Sequence, residues 1–243
     1  MKKKILIIGD SCVDVYTYCK SSRLAPDKPV PVLEIIDTVE TPGMAYNVYC
    51  NAISLFPSCD IITNSNWKTI TKNRYVHKSS NHMFVRIDSS IPIPKIDLTE
   101  ISYDYETVII SDYDKGFLSE EDIEYICSNH PQVFLDTKKI LGSWASNAKF
   151  IKINNYEYER SKFFIDTHLK DRVIKTMGGA GCFYKGKIYP VKRMDVIDVS
   201  GAGDTFMASL SVKYTETFDI VKSIKFANQC ASQVVAKKGT TTI

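Results

Sequence analysis

Short apolar runs alternate with stretches of helical spacing along most of the chain. KILIIGD (4–10), ETVIISD (106–112), QVFLD (132–136), KFIKIN (149–154) and DRVIKT (171–176) are rich in β-branched residues and read as strands. Between them, MAYNVYCNAISLF (44–56) sets Ala45, Val48, Ala52 and Leu55 on one helical face, and EEDIEYICS (120–128) and NYEYERSKFF (155–164) also read as helices. Two amphipathic helices follow, TFMASLSVKY (205–214) and a segment over 218–238 with Ile220, Val221, Ile224, Ala227 and Val234 near one stripe. Near-continuous apolar strands interleaved with helices predict an α/β fold, a mostly parallel sheet with helices on both faces. Its crossovers are expected to be right-handed.

Residues 15–40 break this rhythm. VYTYC and PVPVLEIIDTVE alternate apolar and polar residues, with Pro26, Pro29 and Pro31 marking the turn between them. Together with TKNRYVHKSS and HMFVRIDSS (71–90) they predict a small antiparallel β lid. Its strands would come from about 12–40 and 71–90, inserted into a single domain spanning 1–243.

Composition adds boundaries. The 243 residues suit one large domain, and 44% hydrophobic with 24% charged residues is ordinary for a globular chain. A net charge of +3, with no Lys/Arg block, gives no reason to expect nucleic acid. MKKKILIIGDSC opens like a signal peptide, but its apolar run ends at Gly9-Asp10. No segment approaches membrane-spanning length. Seven cysteines without a C-x-x-C pair predict buried thiols in a reducing, cytoplasmic setting. The four histidines show no ligand spacing and read as surface or loop residues.

The chemistry concentrates at VIDVSGAGDTFMASL (196–210). A helix starting near Ala202 leaves its first amides unpaired, and Gly201, Ala202 and Gly203 let an anion approach them. Asp204 follows at once. A carboxylate beside a bound anion is electrostatically unwelcome unless it has a task, and accepting a proton from an attacking hydroxyl is one. The alternative is a plain turn with Asp204 complementing the helix dipole. Likewise Asn154 and Glu157 in KINNYEYE (152–159) are either outer ligands of hydrated Mg²⁺ or a reciprocal helix cap. KTMGGAGCFYKGK (175–187) places glycines between a strand and a hairpin, as a nucleotide site requires.

DVSGAGDTF resembles the signature of ribokinase-like (PfkB-type) carbohydrate kinases. The segments 9–34, 42–48, 74–88, 108–119, 134–139, 152–159 and 227–243 resemble more narrowly the heptose-7-phosphate kinase domain of bacterial ADP-heptose biosynthesis. SRLAPDKPVPV and SDYDKG are the most diagnostic of these. The resemblance implies a ribokinase-like fold, ATP and Mg²⁺ with K⁺ as a further cation, and a homodimer through the lid. Asp204 would be the base and 201–203 the anion hole. Asn154 and Glu157 would serve Mg²⁺, Asp198 and Ser200 a monovalent cation. Thr176, Gly178, Gly181, Asn228 and Lys138 would lie at the nucleotide. Asp14, Gly43, Asn47, Asp112 and Lys115 would hold the sugar. A sugar already carrying a phosphate needs a cationic pocket, for which Arg23 and Arg86 with Lys115 are the candidates; the alternative is that Arg23 and Arg86 are surface charges of the lid. The family's G-G-x-x-N is here Gly43-Met44-Ala45-Tyr46-Asn47, and the subgroup's D-R-Y is Asp14-Val15-Tyr16. The segments around 57–70 and 158–172 look abbreviated. The chain ends on GTTTI, and no fused nucleotidyltransferase is expected. A kinase for another sugar, or a non-catalytic nucleotide- or sugar-binding relative, remain the alternatives.

Overall fold

The computed structural model describes residues 4–192 and 195–243; the first three residues of the signal-like opening lie outside it. Strands β1 (Ile5–Gly9), β2 (Ser11–Lys20) and β3 (Glu34–Met44) lead into helix α1 (Ala45–Leu55). Then come β4 (Cys59–Thr63), β5 (Thr71–His77), β6 (Met83–Asp88), β7 (Thr107–Asp112), α2 (Glu120–Asn129), β8 (Val133–Thr137), β9 (Phe150–Asn154) and α3 (Asn155–Phe164). The chain closes with β10 (Val173–Thr176), the hairpin β11 (Cys182–Tyr184) and β12 (Lys187–Tyr189), and helices α4 (Ala202–Thr217) and α5 (Ile220–Val235).

The main sheet runs β12-β11-β10-β9-β8-β7-β1-β4, parallel from β10 to β4 with the antiparallel hairpin at one edge. Every residue of β1, β7 and β8 is buried, which is why these strands read as unbroken apolar runs rather than alternating ones. One face packs on α1, α4 and α5 around Phe134, Phe150 and Tyr214, whose ring centroids lie 5.2–5.4 Å apart. The other packs on α2 and α3 around Leu6, Ile110, Ile123, Leu135 and Ile151.

The expected small sheet is present, in the order β3-β2-β5-β6. Its central pair, β2 and β5, is parallel rather than antiparallel. Two further expectations need correction. Cys59–Thr63 forms an edge strand that the polar-interrupted CDIIT does not announce. His130 is buried, its Nε2 2.8 Å from the Tyr105 carbonyl oxygen, so it is not a surface histidine.

The topology puts the C-terminal ends of β1, β7, β8 and β9 on one side, where ligands bind in open α/β sheets. The start of α4 and the small sheet converge there.

Candidate active site

Helix α4 begins at Ala202 because Gly201 turns the chain with φ 77°, a left-handed conformation that costs glycine little. Among the described residues no side chain caps the helix, although the Ala202 amide reaches back to the Val199 carbonyl at 3.3 Å. The preceding apolar run, Val196 to Val199, is exposed coil rather than a strand. Asp204 sits in the first turn and is buried. Asn47 Nδ2 donates to its Oδ2 at 2.8 Å and the Tyr113 hydroxyl donates to its Oδ1 at 2.5 Å. Burial is the largest influence on this carboxyl and pushes it above the ordinary aspartate value of 3.8; Asp136 adds to the rise, while Tyr113, Asn47 and Lys152 oppose it. Burial and the nearby Asp204 hold the Tyr113 phenol well above its usual range, so it stays a donor.

A second group of buried charges lies beside the loop. Lys152 Nζ contacts Asp136 Oδ2 at 2.5 Å, and a β-carbon at Gly203 would lie only 3.1 Å from that ammonium. The loop's glycine therefore opens onto a cation. Lys138 Nζ donates to Glu157 Oε1 at 2.5 Å and stands 4.0 Å from Asp136 Oδ1. Burial disfavours its charge, but Asp136 and Glu157 more than offset this and raise its pKa. Glu157 Oε2 accepts from the Asn154 amide while Asn154 Oδ1 accepts from the Glu157 amide. The reciprocal cap is thus present and uses the oxygens expected for Mg²⁺. Asp136 Oδ1 is buried and has no hydrogen-bond partner among the described residues. A helix start without a side-chain cap, with Lys152 and Lys138 beside it, suits a polyphosphate, and a hard oxygen among carboxylates suits a hydrated Mg²⁺ beside it.

On the acceptor side, Arg74 Nη1 pairs with Asp14 Oδ1 at 2.6 Å, and Thr240 Oγ1 lies 3.4 Å from Asp14 Oδ2. Gly43 is fixed by space: a β-carbon there would sit 2.6 Å from Asp14 Oδ2. Lys115 is exposed and lines a cavity of about 260 Å³ with Met44, Ile70, Lys72, Asp88 and Ser89. Arg86 is turned onto Asp88 in a two-pronged pair at 2.7 and 2.6 Å. Arg23 lies on an exposed turn of the small sheet, away from that cavity. Asp112 is not brought to the cavity either. It is buried, accepting from Thr137 Oγ1 at 2.5 Å and from Lys139 Nζ at 3.0 Å on each oxygen.

Along the β9–β10 edge, Thr176 Oγ1 donates to the Ile153 carbonyl at 3.2 Å. Gly178 faces open space, whereas a β-carbon at Gly181 would strike the Tyr189 carbonyl. Asn228 spends its amide on that same carbonyl at 2.9 Å. Asp198 accepts from the amides of Ser200 and Gly239 at 2.9 and 3.1 Å, which ties the approach to the loop to the C-terminal segment.

Sequence reasoning did not single out Tyr113, Arg74, Lys72, Asp136 or Lys152. Tyr113 lies inside SDYDKG and Lys152 inside KINNYEYE, so the segments were marked although the residues were not. Their roles come from partners 16–91 positions away, which no local pattern shows.

A family model described as pfkB family carbohydrate kinase matches residues 119–243. The bifunctional protein HldE of Helicobacter pylori (strain HPAG1) is 31% identical over 297 residues, covering 98% of this chain and 64% of that protein. HldE of Campylobacter jejuni (strain RM1221) is 29% identical over 299 residues, with 100% and 63% coverage. The chain thus spans less than two thirds of the length of these relatives. The alignments are longer than the chain itself, so the relatives carry segments it lacks. Among solved structures, a nucleoside kinase of Methanocaldococcus jannaschii, an archaeal member of the ribokinase family, aligns with a TM-score of 0.74 at 19% identity, covering 98% of this chain and 93% of that one. Arabidopsis thaliana ribokinase, complexed with ribose and ATP, aligns at 0.72 and 14%, with 98% and 94% coverage. At such identities these two show the fold.

Proposed function

This chain belongs to the pfkB family of carbohydrate kinases, and from that premise we propose that it transfers the γ-phosphate of ATP to the anomeric hydroxyl of D-glycero-D-manno-heptose 7-phosphate or a similar sugar phosphate. It is a phosphotransferase with an alcohol acceptor. The observation that carries the reading is a buried carboxylate, held by neutral donors, in the first turn of a helix that starts at a left-handed glycine without a side-chain cap.

Asp204 takes the proton of the acceptor hydroxyl as that oxygen attacks the γ-phosphorus in line. The 201–203 amides and Lys152 face the charge that develops on the transferring group. Mg²⁺, when bound, neutralises phosphate charge and fixes its orientation. Asp136 Oδ1 would hold it through water, with Asn154 and Glu157 behind. Thr176, Gly178, Gly181 and Asn228 would shape the adenosine side, and Asp198 and Ser200 a K⁺ site. Asp14 and Asn47 would bind ring hydroxyls. Of the cations expected at the distal phosphate, Lys115 is best supported, joined by Lys72 in the same cavity. Free thiols at all seven cysteines fit a cytoplasmic enzyme. Exposed Ile35, Val39, Val85 and Ile87 on edge strands β3 and β6 support pairing of the small sheet with that of a second copy.

Steady-state kinetics with heptose 7-phosphate and with the unphosphorylated heptose test the substrate. The phosphorylated sugar is expected to be more than tenfold better in kcat/KM, and Lys115→Ala to narrow that gap. A preference for the neutral sugar removes the phosphate pocket and leaves the broader sugar-kinase reading.

A further inference from the structure

The two oxygens of Asp204 are held in different ways. Oδ2 is bound by Asn47, whose orientation is fixed because Asn51 Nδ2 donates to Asn47 Oδ1 at 3.1 Å and to its carbonyl at 2.8 Å. Asn51 is fixed in turn by Thr205 Oγ1 at 3.1 Å. That chain belongs to helices α1 and α4 and has no slack. Oδ1 is bound by Tyr113, which stands in the turn after β7 just before Asp114, a residue with φ 56°. The Tyr113 amide is anchored on Asp10 Oδ2 at 2.7 Å, while its ring packs against Cys12, Met44 and Ile70. Lys72 and Lys138 lie 4.7 and 5.2 Å from the ring centroid. The ring is therefore located by packing, and a turn about the Cζ–Oη bond takes the phenol proton off Oδ1 without moving the ring or the backbone.

We infer that Tyr113 is a positioning residue that guards the base: its hydroxyl occupies the oxygen that must receive the acceptor proton, and yields it to a sugar but not to water. The inference rests on Asp204 being the base. Oδ2 is engaged by a held Asn47, whereas the donor on Oδ1 can turn its proton away, so Oδ1 is the oxygen where the phenol stands in for the substrate hydroxyl. A tethered donor outcompetes a free water for this site. A sugar brings further contacts, at Asp14 and in the Lys72–Lys115 cavity, and displaces it. The suppressed side reaction is hydrolysis of the nucleoside triphosphate. A bond would form from a water oxygen to the γ-phosphorus, the bond from that phosphorus to the leaving diphosphate oxygen would break, and the water proton would pass to Asp204 Oδ1.

The test needs only ATP and Mg²⁺, with no sugar. Tyr113→Phe removes the hydroxyl and keeps the ring between the two lysines; Tyr113→Met removes it with different packing. ADP release is expected to rise about tenfold or more in a folded variant, since a hydrogen bond to a charged acceptor is worth about 10- to 100-fold in an equilibrium. The rise is expected to vanish in Tyr113→Phe/Asp204→Asn. A purely structural Tyr113 would give a fall or no change, and either result in a variant with native circular dichroism overturns the guard. So does a rise that survives in the double variant. Asp204→Asn alone, assayed with heptose 7-phosphate, separates the two claims. If it still phosphorylates sugar at the native rate, the base assignment and the guard fall together. If it is inactive and Tyr113→Phe shows no rise, the guard alone falls.

Discussion

Two buried carboxylates near the start of α4, Asp204 and Asp136, are close enough to influence one another and are dressed oppositely. Asp204 is bonded to a phenol and an amide, both neutral donors. Asp136 is bonded to the Lys152 ammonium, with Lys138 close behind. A carboxylate paired with lysine in a buried site is a fixed charge, because protonating it strands the cation. A buried carboxylate with neutral partners has its charged form disfavoured, and Asp204 accordingly sits above the ordinary aspartate range. In the proposed reaction the same side chain serves once as a proton acceptor and once as a counter-ion for two lysines beside the 201–203 loop. The division matches what phosphoryl transfer asks of a protein, a base on the acceptor side and positive charge on the donor side.

The comparison breaks most severely at Asp204. Asp204→Asn keeps the size and the Tyr113 contact but cannot take a proton. Turnover with heptose 7-phosphate is expected to fall about 10²–10⁴-fold while ATP affinity, read by calorimetry, holds. In the native enzyme the acid limb of kcat/KM is expected above 3.8, because the working form is ionised and the folded carboxyl is raised. The stability sign is opposite to that of a salt-bridged aspartate. A raised folded value favours the protonated form, so this contribution is fully present below the unfolded value and is lost as pH rises through the folded one. The stability gap between Asp204→Asn and the native chain should therefore move in the variant's favour as pH rises through that window. A gap that does not change with pH counts against the raised carboxyl.

On the opposite side the damage should appear in stability. Lys152→Met leaves Asp136 buried without its main partner, and removing one member of such a pair typically costs about 3–5 kcal/mol. Asp136→Leu added to Lys152→Met should recover much of that loss in urea melts, since an apolar pair of similar volume tolerates burial. Kinase activity should not return with the fold, because the Lys152 ammonium also stands beside Gly203, 3.1 Å from where a β-carbon would lie. Recovery of both together would reduce the pair to a structural element.

The fold was legible wherever a segment buries both faces or one stripe. ILII, VIIS and VFLD announce the sheet because every side chain in them is inside, and the ends of α3 agree with NYEYERSKFF. Strand β4 was not legible, since a short edge strand with Asp60 near its start carries no such signal. The site was legible where chemistry follows chain order, as in Gly201-Ala202-Gly203-Asp204. It was opaque where partners converge from afar: Asp204 meets Asn47 across 157 positions and Tyr113 across 91. Asp112 shows the converse. Its place at a strand end invites a ligand role, but Lys139 and Thr137 fold back onto it.

The smallest expected effect sharpens the acceptor side. Met44 stands where the family pattern has a second glycine, and it keeps a backbone suited to glycine, with φ 61° and ψ −132°. A side chain held in that region costs about 1–3 kcal/mol. Met44 is nevertheless 2% exposed and packs with Cys12 and Ile70 against Tyr113, and burying a side chain of that size contributes about 1.5–3 kcal/mol. The two terms nearly offset, so Met44→Gly should shift Tm by only a few degrees. Its effect should appear in selectivity, because the same side chain forms part of the wall of the cavity that holds Lys72 and Lys115. Removing it lengthens that cavity toward the base. The kcat/KM ratio of heptose 7-phosphate to a hexose 6-phosphate should then rise roughly tenfold, the scale on which a pocket discriminates one carbon unit. An unchanged ratio would mean that Met44 packs the small sheet against Tyr113 and does not meet the sugar.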